Sequence, residues 1–177
     1  MFIKSKHIYL RALESSDLQL LYVSENDLSI WKVSNTITPF SKDVLELYLH
    51  SAHQDIYTNK QLRLMICLNQ NHTAIGTIDL FDFEPMHLRV GVGVLIFEEF
   101  RKKGYAYEAI ELVKKYVQET LLMNQLFCNI SFSNIESIAL FEKTGFQKIG
   151  IKKQWNQVSK NIFEDELMYQ LIFNRIL

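Results

Sequence analysis

Phe97-Glu98-Glu99-Phe100-Arg101-Lys102-Lys103-Gly104-Tyr105-Ala106 joins an apolar run, Val90 to Ile96, to a segment with helical periodicity, Ala106 to Val117. A strand that feeds a basic, glycine-containing turn and then a helix start is suited to a phosphate. The first N–H groups of a helix lack an intrahelical acceptor, and the dipole there favours an anion. Gly104 lets a ligand come close to the backbone, and Arg101, Lys102 and Lys103 supply countercharge. The helix that follows carries Ala106, Ala109, Ile110, Val113, Tyr116 and Val117 on one face. Glu108, Glu111, Lys115 and Gln118 take the other, with Glu111 and Lys115 at an ion-pairing distance in sequence.

Upstream of this turn, Ile8 to Leu13 alternates as a strand, and Ser15-Ser16-Asp17 offers a cap for a helix through Leu18, Leu20, Leu21 and Val23. Asn26 to Phe40 is a mixed connection, irregular or briefly helical. Ser41-Lys42-Asp43 caps a second helix with Val44, Leu45, Leu47, Tyr48 and Leu49. Gln61 to Leu68 and Thr73 to Phe83 form a hairpin about the turn cluster Asn69 to His72. A third strand, Leu88 to Phe97, follows Pro85-Met86-His87, and its Gly91 and Gly93 mark a bulge or a close approach of backbone.

Downstream, Leu126 to Phe132 reads as a strand and Asn134 caps a helix that turns Ile138, Ala139 and Phe141 inward and stops at Gly145. Phe146 to Ile151 and Ile162 to Phe173 close the chain as strands. The order β-α-α-β-β-β-α-β-α-β-β predicts a mixed α/β (α+β) fold with a largely antiparallel sheet. No repeat, linker or low-complexity segment divides residues 1–177, so one domain is expected.

Composition narrows the function. The chain has 177 residues, 48% of them hydrophobic, and a net charge of −1, so it has ample material for a core and no broad basic surface for nucleic acid. No run is long or apolar enough for a signal peptide or a membrane span, which predicts a cytoplasmic protein. Cys67 and Cys128 sit in apolar strand-like runs and read as buried free thiols. The histidines show no zinc-type spacing, and His50 and His53 read as a solvated helix face, so no metal site is expected.

Three blocks together resemble the GNAT (GCN5-related) N-acetyltransferases, over nearly the whole chain. They are Tyr9-Leu10-Arg11-Ala12-Leu13-Glu14 with Asp17-Leu18; Val94-Leu95-Ile96 with Arg101-Lys102-Lys103-Gly104-Tyr105-Ala106; and Asn134-Ile135-Glu136-Ser137 with Phe141-Glu142-Lys143-Thr144-Gly145-Phe146. The branch most similar holds ribosomal-protein-alanine and spermidine/spermine acetyltransferases. The resemblance implies acetyl-coenzyme A as co-substrate and a primary amine as acceptor, attacked directly at the thioester. It implies that backbone groups of Val94, Leu95 and Ile96 hold the pantetheine arm. Arg101, Lys102, Lys103, Gly104, Tyr105 and Ala106 would take the pyrophosphate, with Asn134 and Phe141 beside the arm.

Two positions depart from that family's pattern. Phe141 stands where many relatives have a tyrosine that protonates the leaving thiolate, and Gly91 stands where some have a glutamate. A thiol of pKa about 8.5 leaves without help, so the first change slows the reaction and does not forbid it. An amine of pKa about 10 must still lose a proton. Asp82 and Glu84, expected on one face of their strand, are the candidate catalytic pair, with Asp79 on the opposite face. Glu14, Glu25 and Trp31 are further acceptor-side candidates. The alternative reading is a coenzyme A-binding sensor without turnover. The apolar end, Ile172 to Leu177, is a candidate homodimer surface.

Overall fold

The computed structural model describes residues 3–34, 36–51 and 54–173, with the side chains of residues 32–34 left aside. The strands are β1 (Ile3–Lys4), β2 (Ile8–Ala12), β3 (Leu62–Leu68), β4 (Ala74–Glu84), β5 (Arg89–Ile96), β6 (Gln125–Ser131), β7 (Gln147–Ser159) and β8 (Ile162–Ile172). The helices are α1 (Leu18–Glu25), α2 (Leu28–Ser34), α3 (Lys42–Ser51), α4 (Ile56–Asn59), α5 (Tyr105–Glu119) and α6 (Ile135–Lys143). All eight strands join one sheet in the order β1-β2-β3-β4-β5-β6-β8-β7. Every pairing is antiparallel except β5 with β6. The mixed, largely antiparallel fold is the one expected.

Alternation along the strands sorts the two faces. One face carries Ile66, Ile78, Leu80, Val90, Val92 and Leu126 into a core closed by α5 and α6. Ala109, Ile110, Val113 and Val117 are the buried stripe of α5, at the spacing its amphipathic pattern requires. On the opposite face, α1 and α3 lie over β2 to β4: Arg63 of β3 reaches Glu25 of α1 and lies 5.8 Å from the ring centroid of Tyr48 on α3. That cover stops short of β5 and β6, whose outer face stays open around Phe81, Phe127 and the edge of Gly93.

Several local expectations need correction. Asp17 acts as a reverse cap, its Oδ2 accepting the N–H of Glu14 at 2.8 Å before a 3-10 turn, Ser15–Asp17. Residues 28–34 are helical, the second of the two readings given for Asn26 to Phe40. On α5, Glu111 pairs with Lys114 at 2.7 Å, while Lys115 approaches Glu119 at 3.9 Å. On α6, Ala139 faces solvent and Leu140 packs inward. The helix ends as foreseen, with Gly145 at φ 92° and Phe146 N–H donating to Phe141 C=O at 3.0 Å. β7 runs to Ser159, well past Ile151, because register shifts let an exposed edge strand extend without keeping strict alternation. His53 and residues 174–177 lie outside the described residues.

Candidate active site

The parallel ladder between β5 and β6 pairs Arg89 with Gln125, Val90 with Leu126 and Gly91 with Phe127, then stops. Both strands continue, β5 beside β4 and β6 beside β8, so a gap opens inside the sheet. The phase of each ladder tells which backbone groups face it. Phe97 N–H donates to Ile75 C=O at 2.9 Å, and antiparallel pairs alternate, so Gly91, Gly93 and Leu95 exchange hydrogen bonds with β4. Val92, Val94 and Ile96 therefore point theirs away from β4. Val94 is the first residue past the last β5–β6 pair whose N–H and C=O both face the gap. Across it, Phe173 N–H donating to Asn124 C=O sets the phase of β6 against β8 and turns the backbone of Asn129 inward.

This divides the predicted pantetheine residues. Val94 faces the gap. The backbone groups of Leu95 are spent on Thr77 in the β4 ladder, so the expectation that they hold the arm does not stand. The Ile96 carbonyl is also taken, accepting from Arg101 Nε at 2.9 Å. Asn129 was missed; only the strand pairing singles it out, since an exposed asparagine in a strand carries no such signal.

The gap leads to the turn before α5. Among the described residues, nothing accepts from the backbone N–H groups of residues 102–107; the first helical bond is Glu108 N–H to Gly104 C=O at 3.2 Å. Lys102 at φ 61° and Gly104 at φ 86° curl these amides into a concave nest at a helix start, a cradle for an anion. A Cβ on Gly104 would meet nothing within 4 Å, so the space above it is open. Arg101 is anchored at the end of β5 by its Nε. Lys103 folds back, its Nζ donating to Glu99 C=O at 3.0 Å. Lys102 reaches Glu136 at 3.3 Å across to α6, an exposed pair that holds little by itself. Tyr105 and Ala106 pack partly against the core.

Asn134 caps α6 through Oδ1, which accepts Ser137 N–H at 3.1 Å, while its Nδ2 has no acceptor among the described residues. Phe141 is 4% exposed and packs edge-on against Phe146 at 5.0 Å between centroids. It is a core side chain, and contact with a ligand arm is not what its surroundings provide for. Gly91 is likewise explained by packing: a Cβ there would overlap the Phe81 ring. β5 itself has no bulge; the gap arises because β6 leaves it.

The bulge falls in β4, where the register shifts between Phe81 and Glu84 and Asp82 adopts φ 49°. The extra residue passes the core face from Leu80 to Phe83 and moves Glu84 to the side of Asp79 and Phe81. The alternation expected for Asp79, Asp82 and Glu84 is thereby corrected. Asp82 and Glu84 still border one cavity of about 570 Å³, lined also by Arg89 and Gln125, the first pair of the β5–β6 ladder, and by Phe127 of its last.

Asp79 and Glu25 are already engaged. Arg63 donates from Nε to Asp79 Oδ1 at 2.6 Å and from Nη1 to Glu25 Oε1 at 2.5 Å. Burial pushes the Asp79 carboxyl up from the usual carboxylate range against the pull of Arg63, and Glu25 adds to the push. Trp31 Nε1 donates to the Glu25 carbonyl at 2.7 Å, which steadies the turn into α2. Glu14 is exposed beside its 3-10 turn.

A family model described as an acetyltransferase (GNAT) domain matches residues 7–147. The chain is 25% identical over 146 residues to the spermidine N(1)-acetyltransferase of Vibrio cholerae, covering 82% of each protein. It is 26% identical over 180 residues to a probable N-acetyltransferase, YjcK, of Bacillus subtilis, covering 96% of each. Its fold matches the crystal structure of a spermidine N-acetyltransferase from Vibrio cholerae in complex with CoA and spermine. The TM-score is 0.83 at 23% identity, over 93% of this chain and 95% of that one.

Proposed function

The chain belongs to the GNAT acetyltransferase family and uses acetyl-coenzyme A as co-substrate, and from that premise we propose that it acetylates a primary amine by direct attack in the gap between β5 and β6. One observation carries this reading: an unpaired stretch of β5 at Val94 runs straight into unpaired amides at residues 102–107. An extended arm ending in a pyrophosphate needs both, a strand edge to lie against and an anion nest at its end. The residues fit the donor: Val94 and Asn129 hold the arm, residues 102–107 with Arg101 hold the pyrophosphate, and Nδ2 of Asn134 is left to contact the arm.

The amine nitrogen attacks the thioester carbonyl carbon, a C–N bond forms, the C–S bond breaks, and the thiolate leaves with the electron pair. The Val94 N–H faces the place where negative charge develops on the carbonyl oxygen; one such donor supplies about 3–4 kcal/mol in comparable sites. Asp82 and Glu84, on the cavity that extends to Phe127 at the last β5–β6 pair, draw in the ammonium and take its proton. No tyrosine stands at Phe141, so the thiolate takes its proton from water. The whole chain acts as one catalytic domain. No helix among the described residues is long and apolar enough to cross a membrane. The buried free thiols Cys67 and Cys128 suit a reducing cytoplasm. Ile172, at 57% exposure, offers apolar surface for a homodimer.

The test is coenzyme A release, followed by free-thiol detection, over a panel of amines, with thermal shift on acetyl-coenzyme A as a parallel measurement. Turnover above hydrolysis with any amine supports the transferase reading. A large thermal shift without amine-dependent release replaces it with a coenzyme-binding sensor.

A further inference from the structure

We infer that the acceptor is a zwitterion, an amine that also carries a carboxylate, of amino-acid or short-peptide size, and not a polycation. This rests on the proposed transfer reaction and assigns its acceptor. The cavity runs along the β5–β6 ladder from its first pair, Arg89 and Gln125, to Phe127 of its last. It is bordered by two carboxylates, Asp82 and Glu84, and by two cations, Lys60, whose carbonyl accepts the Phe83 N–H, and Arg89, the cross-strand partner of Glu84. None of these four makes an ion pair with a described residue. Glu84 and Arg89 are direct partners across the β4–β5 ladder and still leave each other open. Phe127 and Met168 give the cavity an apolar wall, and the other polar lining groups, Gln125 and Gln170, hydrogen-bond to each other.

Balanced charge of both signs around an apolar wall suits a ligand with both charges and an apolar body. A polyamine needs surplus negative charge, and the cavity lining has none, with two carboxylates set against two cations. The two further carboxylates facing this side, Glu25 and Asp79, share the single guanidinium of Arg63 and are held by it at 2.5 and 2.6 Å, outside the cavity lining. Gly91, closed over by Phe81, has no room for another. In the zwitterion the ammonium meets Asp82 and Glu84, which accept its proton before attack. The carboxylate meets Arg89 and Lys60, which hold it as counter-ions. At about 570 Å³ the cavity is within the usual range for small-molecule sites and admits a residue larger than glycine.

The experiment measures thiol release at saturating acetyl-coenzyme A with L-phenylalanine, glycyl-L-phenylalanine, L-phenylalaninamide, phenethylamine and spermidine. The expected result is a kcat/KM at least about tenfold higher for the better carboxylate-bearing acceptor than for the amide, the decarboxylated amine or spermidine. Arg89→Ala and, separately, Lys60→Ala should shrink that ratio through acceptor KM, with acetyl-coenzyme A KM unchanged. Both side chains are exposed, and an unchanged melting temperature verifies folding. Spermidine or the amide as the best acceptor overturns the zwitterion while leaving acetyl transfer standing, as does an unchanged ratio in both folded variants. Acetyl-coenzyme A binding with no amine turned over removes the transferase reading and this inference with it.

Discussion

The ring of Phe81 fills the space beside Gly91 on the neighbouring strand, so that a Cβ at 91 would overlap Cε2, Cδ2 and Cζ. Installing a glutamate there, as some acetyltransferases of this family have, is therefore expected to injure the protein. Gly91→Glu should cost about 1–3 kcal/mol through overpacking, a fall of roughly 3–10 °C in melting temperature for a chain of this size. Adding Phe81→Ala should recover part of that loss by making room, and a double mutant no more stable than the single one would show that the ring is not the obstacle.

Val94→Pro and Leu95→Pro should part company. The Val94 N–H faces the gap and the Leu95 N–H belongs to the β4 ladder, so only the second substitution removes a sheet hydrogen bond. Val94→Pro is expected to stay folded with kcat reduced about 10²- to 10³-fold, the loss of one oxyanion donor. Leu95→Pro should lower the melting temperature substantially more. Equal thermal damage from the two would refute the ladder phase derived from Phe97 and Ile75.

Gly104 sits at φ 86° with open space where a side chain would go. Gly104→Val combines about 1–2 kcal/mol of backbone strain with a side chain in the anion nest. A folded variant is expected to lose acetyl-coenzyme A affinity at least about tenfold by calorimetry, whereas unchanged affinity would take the pyrophosphate away from this turn. Gly104→Ala should show the strain with a smaller loss of binding.

Asp82→Asn with Glu84→Gln should raise acceptor KM several-fold more than the KM of acetyl-coenzyme A. The opposite pattern would move the pair away from the acceptor.

Asp17 sets part of the acid limb of stability. Burial pushes its carboxyl up, but Arg11, at 2.7 and 2.8 Å, and the Glu14 N–H outweigh that and hold it below the usual range. A carboxyl lowered in the folded state stabilises at pH above its unfolded value of about 3.9, and the contribution fades as pH falls through the folded value. Asp17→Asn should cost about 1–3 kcal/mol near neutrality, with a smaller difference from wild type below pH 3 in urea titrations. A constant difference across that range would mean that the charge is not what matters.

The donor side was legible because its signals are local. The Arg101 to Ala106 turn, the stripe Ala109, Ile110, Val113 and Val117, and the Asn134 cap each follow from residues close in sequence. The gap was not legible, since Gly91 beside Phe127 is a meeting of residues far apart, and no periodicity says where a parallel ladder ends. The bulge at Asp82 hid for another reason: one residue at positive φ reverses the alternation that the composition of β4 suggests. Arg63, tying Glu25 to Asp79, is a tertiary contact across three elements, and its sequence surroundings, Leu62 to Leu68, read only as an apolar strand. Gly91 reads in sequence as a bulge or a close approach of backbone, and the approach is that of the Phe81 ring on the neighbouring strand.

A sheet that parts along its middle has an edge in an interior position. The Val94 amide, flanked by strands on both sides of the sheet order, should exchange its hydrogen with solvent at the rate of an edge amide, while Gly93 and Leu95 on either side of it are protected by β4. Loading with acetyl-coenzyme A should slow exchange at Val94 and leave those two neighbours nearly unchanged, so that a single residue reports whether the sheet is complete.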